Sequence, residues 1–317
     1  MGKRLDAGVA LPTSRMPKWS APLIAIAVLA VAGWALHRQL TGLDWAAVGT
    51  ALQSLGWKQL VPAALLLAVS FFAYGLLERL ASAHVGKPLP LPRACAAALA
   101  TQGISLSTGK GLLVAGLVRL RLFGRWGFTP GESLGVTALV FLHGNVGLAV
   151  LLGAACLWAR AWDWAVWAGI AGIGGALAWL AVCHRGKPFE VFNRQVVPPT
   201  VREQLIGAAV GAVEKLACML LAWVLMPGDP GIPFATFAAL MLVSFVIARA
   251  SQVPGGIGVL EATALGLWPG VPPKETVIAG LLAFRVAYYL VPLIPGLLIL
   301  AWAGYLRRVA PCATASA

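Results

Sequence analysis

The chain of 317 residues is 60% hydrophobic and 11% charged, with a mean hydropathy of +0.84, which is more apolar surface than a soluble fold of this length can bury. Its formal net charge of +13 comes from Lys and Arg gathered in the short segments between apolar runs, as in loops that face the cytoplasm and its anionic lipid. No recognition motif accompanies that charge, so a nucleic acid partner is excluded from the expectation.

Residues 1–20 carry Lys3, Arg4, Arg15 and Lys18 ahead of "APLIAIAVLAVAGWAL", the layout of a signal peptide's first two regions. A small-residue cleavage site is missing and more apolar runs follow, so the expectation is an uncleaved first helix with a cytoplasmic N-terminus. Runs long enough to cross a hydrocarbon core fall at about 21–38, 59–80, 94–117, 132–158, 161–183, 203–226, 233–250, 254–268 and 275–305. In "DWAAVGTALQSLGWKQL", after the first run, Trp45, Val48, Leu52 and Leu55 recur at helical spacing, which predicts a helix lying on the membrane surface. The expected organisation is a basic N-terminus at 1–20, one transmembrane domain at 21–308 with halves at about 40–160 and 200–308, and a tail at 309–317.

Two of these runs are not ordinary helices. "TQGISLSTGKG" at 101–111 and "SQVPGGIG" at 251–258 place glycines, a proline and polar side chains at membrane depth. Broken backbone facing lipid leaves amides and carbonyls without partners, so such segments belong inside protein or against a watery cavity. The basic residues argue for a re-entrant first break. If 94–117 dips in and returns, Arg119, Arg121 and Arg125 stay on the side of Arg79, Lys87 and Arg93, and so does the later loop with Arg185, Lys187, Arg194 and Arg202. Corresponding breaks in two halves are the layout of transporters with internal inverted repeats and a site at mid-depth. The predicted fold class is therefore an all-α polytopic integral membrane protein of about eight membrane segments, with glycine-broken re-entrant segments and a layout that suggests two inverted halves.

The ionisable residues within the runs are Glu78, Lys110, His143, Glu214, Lys215, Arg249, Glu261 and Arg285. Each costs on the order of 2.5–3.5 kcal/mol at mid-membrane and wants a partner or water. Glu214 and Lys215 point about 100° apart on a helix, so Glu214 is expected to pair elsewhere, with Arg249 or Arg285. Lys110 faces a polar cavity or snorkels. His143 is expected to be buried with one hydrogen-bonded neighbour, and the tryptophans near 158–167 are expected to anchor at the interface. Between Arg249 and Glu261, "PGGIG" turns the chain. Two readings stay open there: a phosphate held by helix-end amides with Arg249 or Arg285, or a structural hairpin fixed by a buried Arg–Glu pair. "GGIG" lacks the Lys-Ser/Thr ending of a nucleotide-binding loop. The five cysteines show no metal-like spacing and read as apolar packing residues, so no metal or cofactor is expected.

"SQVPGGIGVLEA" at 251–262 with "AFRVAYYLVPLIPG" at 283–296 resembles the membrane domain of the lysylphosphatidylglycerol synthase/flippase family, the multiple peptide resistance factors, and its stand-alone flippase-like relatives. "STGKGLLVAGLVRLRLFGRWGFTPGE" at 107–132 is similar to that family's arginine-containing segment, and the likeness covers roughly residues 40–308. Pro254, Gly255, Gly256, Gly258, Glu261, Arg285, Tyr288, Tyr289 and Arg119 match the pattern. The resemblance implies the transport half of that family, without the domain that makes the aminoacylated lipid. The family's acidic residue after a tyrosine late in the second span has no counterpart, since Tyr74 is followed by Gly75 and the nearest acid is Glu78.

The function expected is a non-enzymatic lipid transporter of a bacterial inner membrane. It binds an anionic or aminoacylated phospholipid head group, with Arg249, Arg285 and Arg119 facing the phosphate and Lys110 and Glu214 beside it. Glu261 and Glu214 are the candidates for a protonation step. The alternative is a non-transporting partner of a lipid- or polysaccharide-modifying enzyme, and a homo-oligomer is compatible with either.

Overall fold

The fold is that of a computed structural model, which describes residues 46, 50, 53–108, 111–191, 194–251, 253–270 and 274–309. The basic N-terminus, the apolar run at 21–38, Lys110 and the tail after 309 lie outside the described residues. Of the expected surface segment, Ala46, Thr50, Gln53 and Ser54 are helical and exposed, and Trp57 already opens the first long helix.

The described chain is almost wholly helical. Helix α1 (Trp57–His84) is followed by the shorter α2 (Leu91–Leu106) and α3 (Gly111–Phe123), and then by α4 (Pro130–Ala159) and α5 (Asp163–Arg185). A small antiparallel hairpin of β1 (Phe189–Val191) and β2 (Arg194–Val196) leads to α6 (Val201–Val224). The second half continues with α7 (Phe234–Ala250), α8 (Val259–Leu267) and α9 (Lys274–Arg285), the last running through a π-helical turn (Val286–Leu290) into α10 (Val291–Val309). Capping boxes start α4 and α6: Thr129 with Glu132, and Thr200 with Glu203, each close two otherwise unpaired amides.

Among the described residues, five helices are long and apolar enough to cross a membrane: α1, α4, α5, α6 and the continuous stretch Thr276–Ala303. The apolar runs at 94–117 and 254–268 are not single spans. Helices α2 and α3, at 16 and 13 residues, rise only ~24 and ~20 Å against a core of ~30 Å. Within the expected break at 101–111, α2 runs on to Leu106 and α3 starts at Gly111, and Gly103 serves helix packing: a Cβ there would lie 2.5 Å from the Pro292 carbonyl oxygen.

Both broken pairs are hairpins, and they start from opposite ends of the bundle. Lys87, ahead of α2, donates to the Gly127 carbonyl and to Glu132, both at 2.7 Å, so the chain after α3 returns to where α2 began. Likewise Phe237, in the first turn of α7, meets the ring of Trp268, just past α8, at 6.2 Å. His84 at the end of α1 bonds Glu203 at the start of α6, while Gln59 at the start of α1 donates to the carbonyls of Val224 and Met226 at the end of α6. Helices α1 and α6 are thus antiparallel neighbours, and the first hairpin enters where α1 ends and the second where α6 ends.

Close approach is bought with glycine. A Cβ on Gly147 of α4 would lie 2.5 Å from the Ala212 amide of α6, and one on Gly207 would lie 2.5 Å from the His143 ring. Each hairpin also rests on the other half: α2 packs on α10, where Gly296 faces the Leu99 carbonyl, and α7 packs on α4.

Candidate functional site

The second break owes its path to three left-handed glycines, Gly255, Gly256 and Gly258, with φ of 62°, 61° and 74°. Side chains avoid that region, and a Cβ on Gly256 would in addition sit 2.7 Å from the Ala248 methyl. A clamp holds the turn from behind. Arg285 donates to the carbonyls of Gly255 (2.9 Å) and Gly256 (3.0 Å) and grips both oxygens of Glu261, while its guanidinium covers the Tyr289 ring at 5.6 Å. Glu261 in turn accepts from the Gly258 amide at 3.0 Å, which closes the start of α8. The Arg–Glu pair of the second reading is present, with Arg285 buried and Glu261 partly buried.

Arg119 is engaged in the same way. Its Nε donates to both oxygens of Glu78 at 3.0 Å, Thr101 adds a bond at 3.1 Å, and the pair is 1% and 0% exposed. This joins α1 to α3 and lies away from the cavity described below.

The pairing expected for Glu214 is corrected. Its partners are Tyr288 of the π-helical turn (2.8 Å), Ser70 of α1 (3.1 Å) and its own neighbour Lys215, and neither Arg249 nor Arg285 reaches it. The 100° offset separates the Cβ atoms, but the four-carbon lysine stem folds back across it. Lys215 also donates to the Tyr74 hydroxyl at 3.1 Å. Tyr288 is fixed by stacking on Phe284 at 5.3 Å. A π-helical turn is a frequent mark of functional sites, and here it turns Tyr288 toward α6 and Tyr289 toward Arg285.

These parts surround one cavity of about 540 Å³. Its wall takes Gln102, Ser105 and Leu106 from the end of α2, Gly111 and Leu112 from the start of α3, and Phe141, Gly144 and Asn145 from α4. From the second half come Lys215, Phe245, Arg249, Val253, Gly255, Gly256, Tyr288 and Tyr289, with Tyr74 of α1 between them. Both hairpin tips therefore meet at the same space. Arg249 is exposed there and lies over the Phe141 ring at 5.9 Å.

Of the residues singled out in the sequence, Arg249, Gly255, Gly256, Tyr288 and Tyr289 line the cavity, and Glu214 sits directly behind Lys215 and Tyr288. Arg285, Glu261 and Gly258 form the clamp behind, Pro254 opens the turn, and Arg119 stands apart. Lys215, Tyr74, Asn145 and Gln102 line the cavity without being marked as its residues in the sequence: helical spacing argues only against a Glu214–Lys215 pair, and the polar positions of α2 and α4 gain meaning only once the two halves are packed. His143 is buried and bonds Gln204 at 3.1 Å, as expected.

Fold and site together define a multi-pass membrane protein whose two oppositely directed hairpins end at a shared, cation-bearing cavity. No protein-family model matches the chain. It is similar to an uncharacterised protein of Synechocystis, 26% identical over 82% of this chain and 84% of that protein. It is also similar to the inner membrane protein YbhN of Escherichia coli, 26% identical over 81% and 83%. A shorter likeness, 29% identical over 35% of this chain, is to phosphatidylglycerol lysyltransferase of Staphylococcus aureus, of which it covers 14%.

Proposed function

We propose that the chain is a lipid transporter of a bacterial inner membrane, which takes an anionic phospholipid head group into the cavity between the hairpin tips while the acyl tails stay in the bilayer. The observation that carries this reading is the cavity itself, with Arg249 and Lys215 on a wall to which both breaks contribute. Its ~540 Å³ falls within the ~300–1,000 Å³ of small-ligand sites. The name of the Escherichia coli relative supports the inner membrane, and the partial likeness to a phosphatidylglycerol lysyltransferase supports a phospholipid. The phosphate partners are Arg249 and Lys215; Arg285, Glu261 and Arg119 serve by holding the turn and the hairpin in place.

Orientation follows from charge. At the end where the first hairpin enters, Arg79, Lys87, Arg93, Arg125 and Arg202 outnumber Glu132 and Glu203, whereas at the other end Lys58 and Arg160 are matched by Asp163 and Asp229. Positive-inside bias makes the first end cytoplasmic and both hairpins re-entrant.

The test is leaflet exchange of head-group-labelled phospholipids in liposomes holding the purified protein. Wild type exchanges anionic lipid faster than protein-free liposomes, and Arg249→Ala loses about tenfold, equivalent to ~1.4 kcal/mol. Well-folded wild type that moves no anionic, zwitterionic or aminoacylated lipid would overturn transport in favour of the partner-protein reading.

A further inference from the structure

Three acid–base pairs with at least one buried partner occur within the helical bundle among the described residues, and they differ in what the cation is able to do. Arg119 and Arg285 are forks whose donors are committed to fixed acceptors, and Arg285 could leave Glu261 only by abandoning two backbone carbonyls as well. Lys215 is a point charge on a flexible stem, and its ammonium stands at the cavity wall. Glu214 behind it is fully buried. Its Oε1 accepts from two neutral hydroxyls, those of Ser70 and Tyr288, and Oε2 is held by Lys215.

We propose that Glu214 is a proton site coupled to head-group binding: an anionic head group that draws Lys215 into the cavity leaves Glu214 to take up one proton. This rests on the head-group reading above and adds the ion that accompanies the lipid.

The loss of the one cation that Glu214 holds motivates it. Before binding, Glu214 carboxylate and Lys215 ammonium sum to zero. A phosphodiester brings one negative charge, and the Lys215 hydrogen bond passes from Glu214 Oε2 to a phosphate oxygen. Glu214 is then a buried carboxylate with only neutral donors, a state that costs several kcal/mol. A proton given up by the buffer bonds to Oε2 and removes the unpaired buried charge, while the Lys215 ammonium stays with the phosphate. The titratable and charged groups facing Glu214 are Lys215 and Cys218 of α6, Tyr74 of α1 and Tyr288 of the π-helical turn, with Arg249 of α7 acting on Tyr74 and Lys215. Arg249, on the same wall, adds attraction for the phosphate.

The experiment is calorimetric titration of the full chain in detergent with dihexanoylphosphatidylglycerol, in two buffers of different ionisation enthalpy. Wild type is expected to take up about one proton per lipid, with Kd rising about tenfold per pH unit over the range of uptake. Glu214→Gln is expected to bind with no uptake and a flat pH profile. Lys215→Met gives a second check, because the cation whose departure drives uptake is gone and uptake is expected to vanish again. Lipid bound by wild type without proton uptake, or undiminished uptake in Glu214→Gln, overturns the coupling and leaves the head-group reading intact. No binding of this lipid by wild type overturns both.

Discussion

Arg119 and Glu78 show what a buried pair does when no cavity is near. With both side chains sealed, removing one partner leaves an uncompensated charge. Arg119→Ala is expected to lower stability by ~3–5 kcal/mol, read as a large fall in melting temperature in detergent. The double variant Glu78→Leu with Arg119→Met is expected to regain most of that stability, since apolar residues of similar volume replace such pairs at little loss. It is also expected to keep lipid exchange, which an arginine touching phosphate would not permit. The sequence marks these residues well enough: an ionisable group inside an apolar run is expensive and therefore visible. Their partners are not visible. Glu78 and Arg119 are 41 positions apart and Glu261 and Arg285 are 24 apart, distances bridged only by helix packing. The one pair adjacent in sequence, Glu214 with Lys215, is misjudged by helical spacing, which describes Cβ directions and ignores a long stem.

At the level of helices, the glycines divide by use. Those at 255, 256 and 258 are legible because proline and clustered glycine mark a turn, and the structure gives them left-handed backbone. Gly103, Gly147 and Gly207 look the same in sequence but sit in regular helix, where they admit a neighbouring backbone or ring. The first break is narrower than the expected 101–111 for this reason. Gly147→Ala is expected to force α4 and α6 apart and to cost ~1–3 kcal/mol in thermal stability. Gly174→Ala in α5, where nothing lies within 4 Å of the added methyl, is expected to be neutral or to stabilise by up to ~1 kcal/mol. Equal losses at both positions would show that the α4–α6 crossing is not the close contact described. Gly75 is a third case: its Cβ position lies 2.7 Å from Cys95 Sγ and 3.1 Å from Cys95 Cα, so an acidic residue after Tyr74 does not fit without parting α1 from α2.

Across the whole molecule, the layout of two halves with matching breaks was readable, while the meeting of both tips at one cavity depends on packing between the halves. In a background lacking native cysteines, Arg93→Cys and Arg125→Cys are expected to react with a membrane-impermeant thiol reagent from the same side, and Asp229→Cys from the other. Reaction of the first two from opposite sides would refute re-entry of α2 and α3. The cross-packing has a consequence for motion. The first hairpin leans on α10 and the second on α4, so each moves against a strut supplied by the opposite half. On the proposed transport reading, a tip withdrawn to admit a head group from its own leaflet is expected to pull on the frame that seats the other, which would interlock the two doors of the chamber in the manner of an airlock.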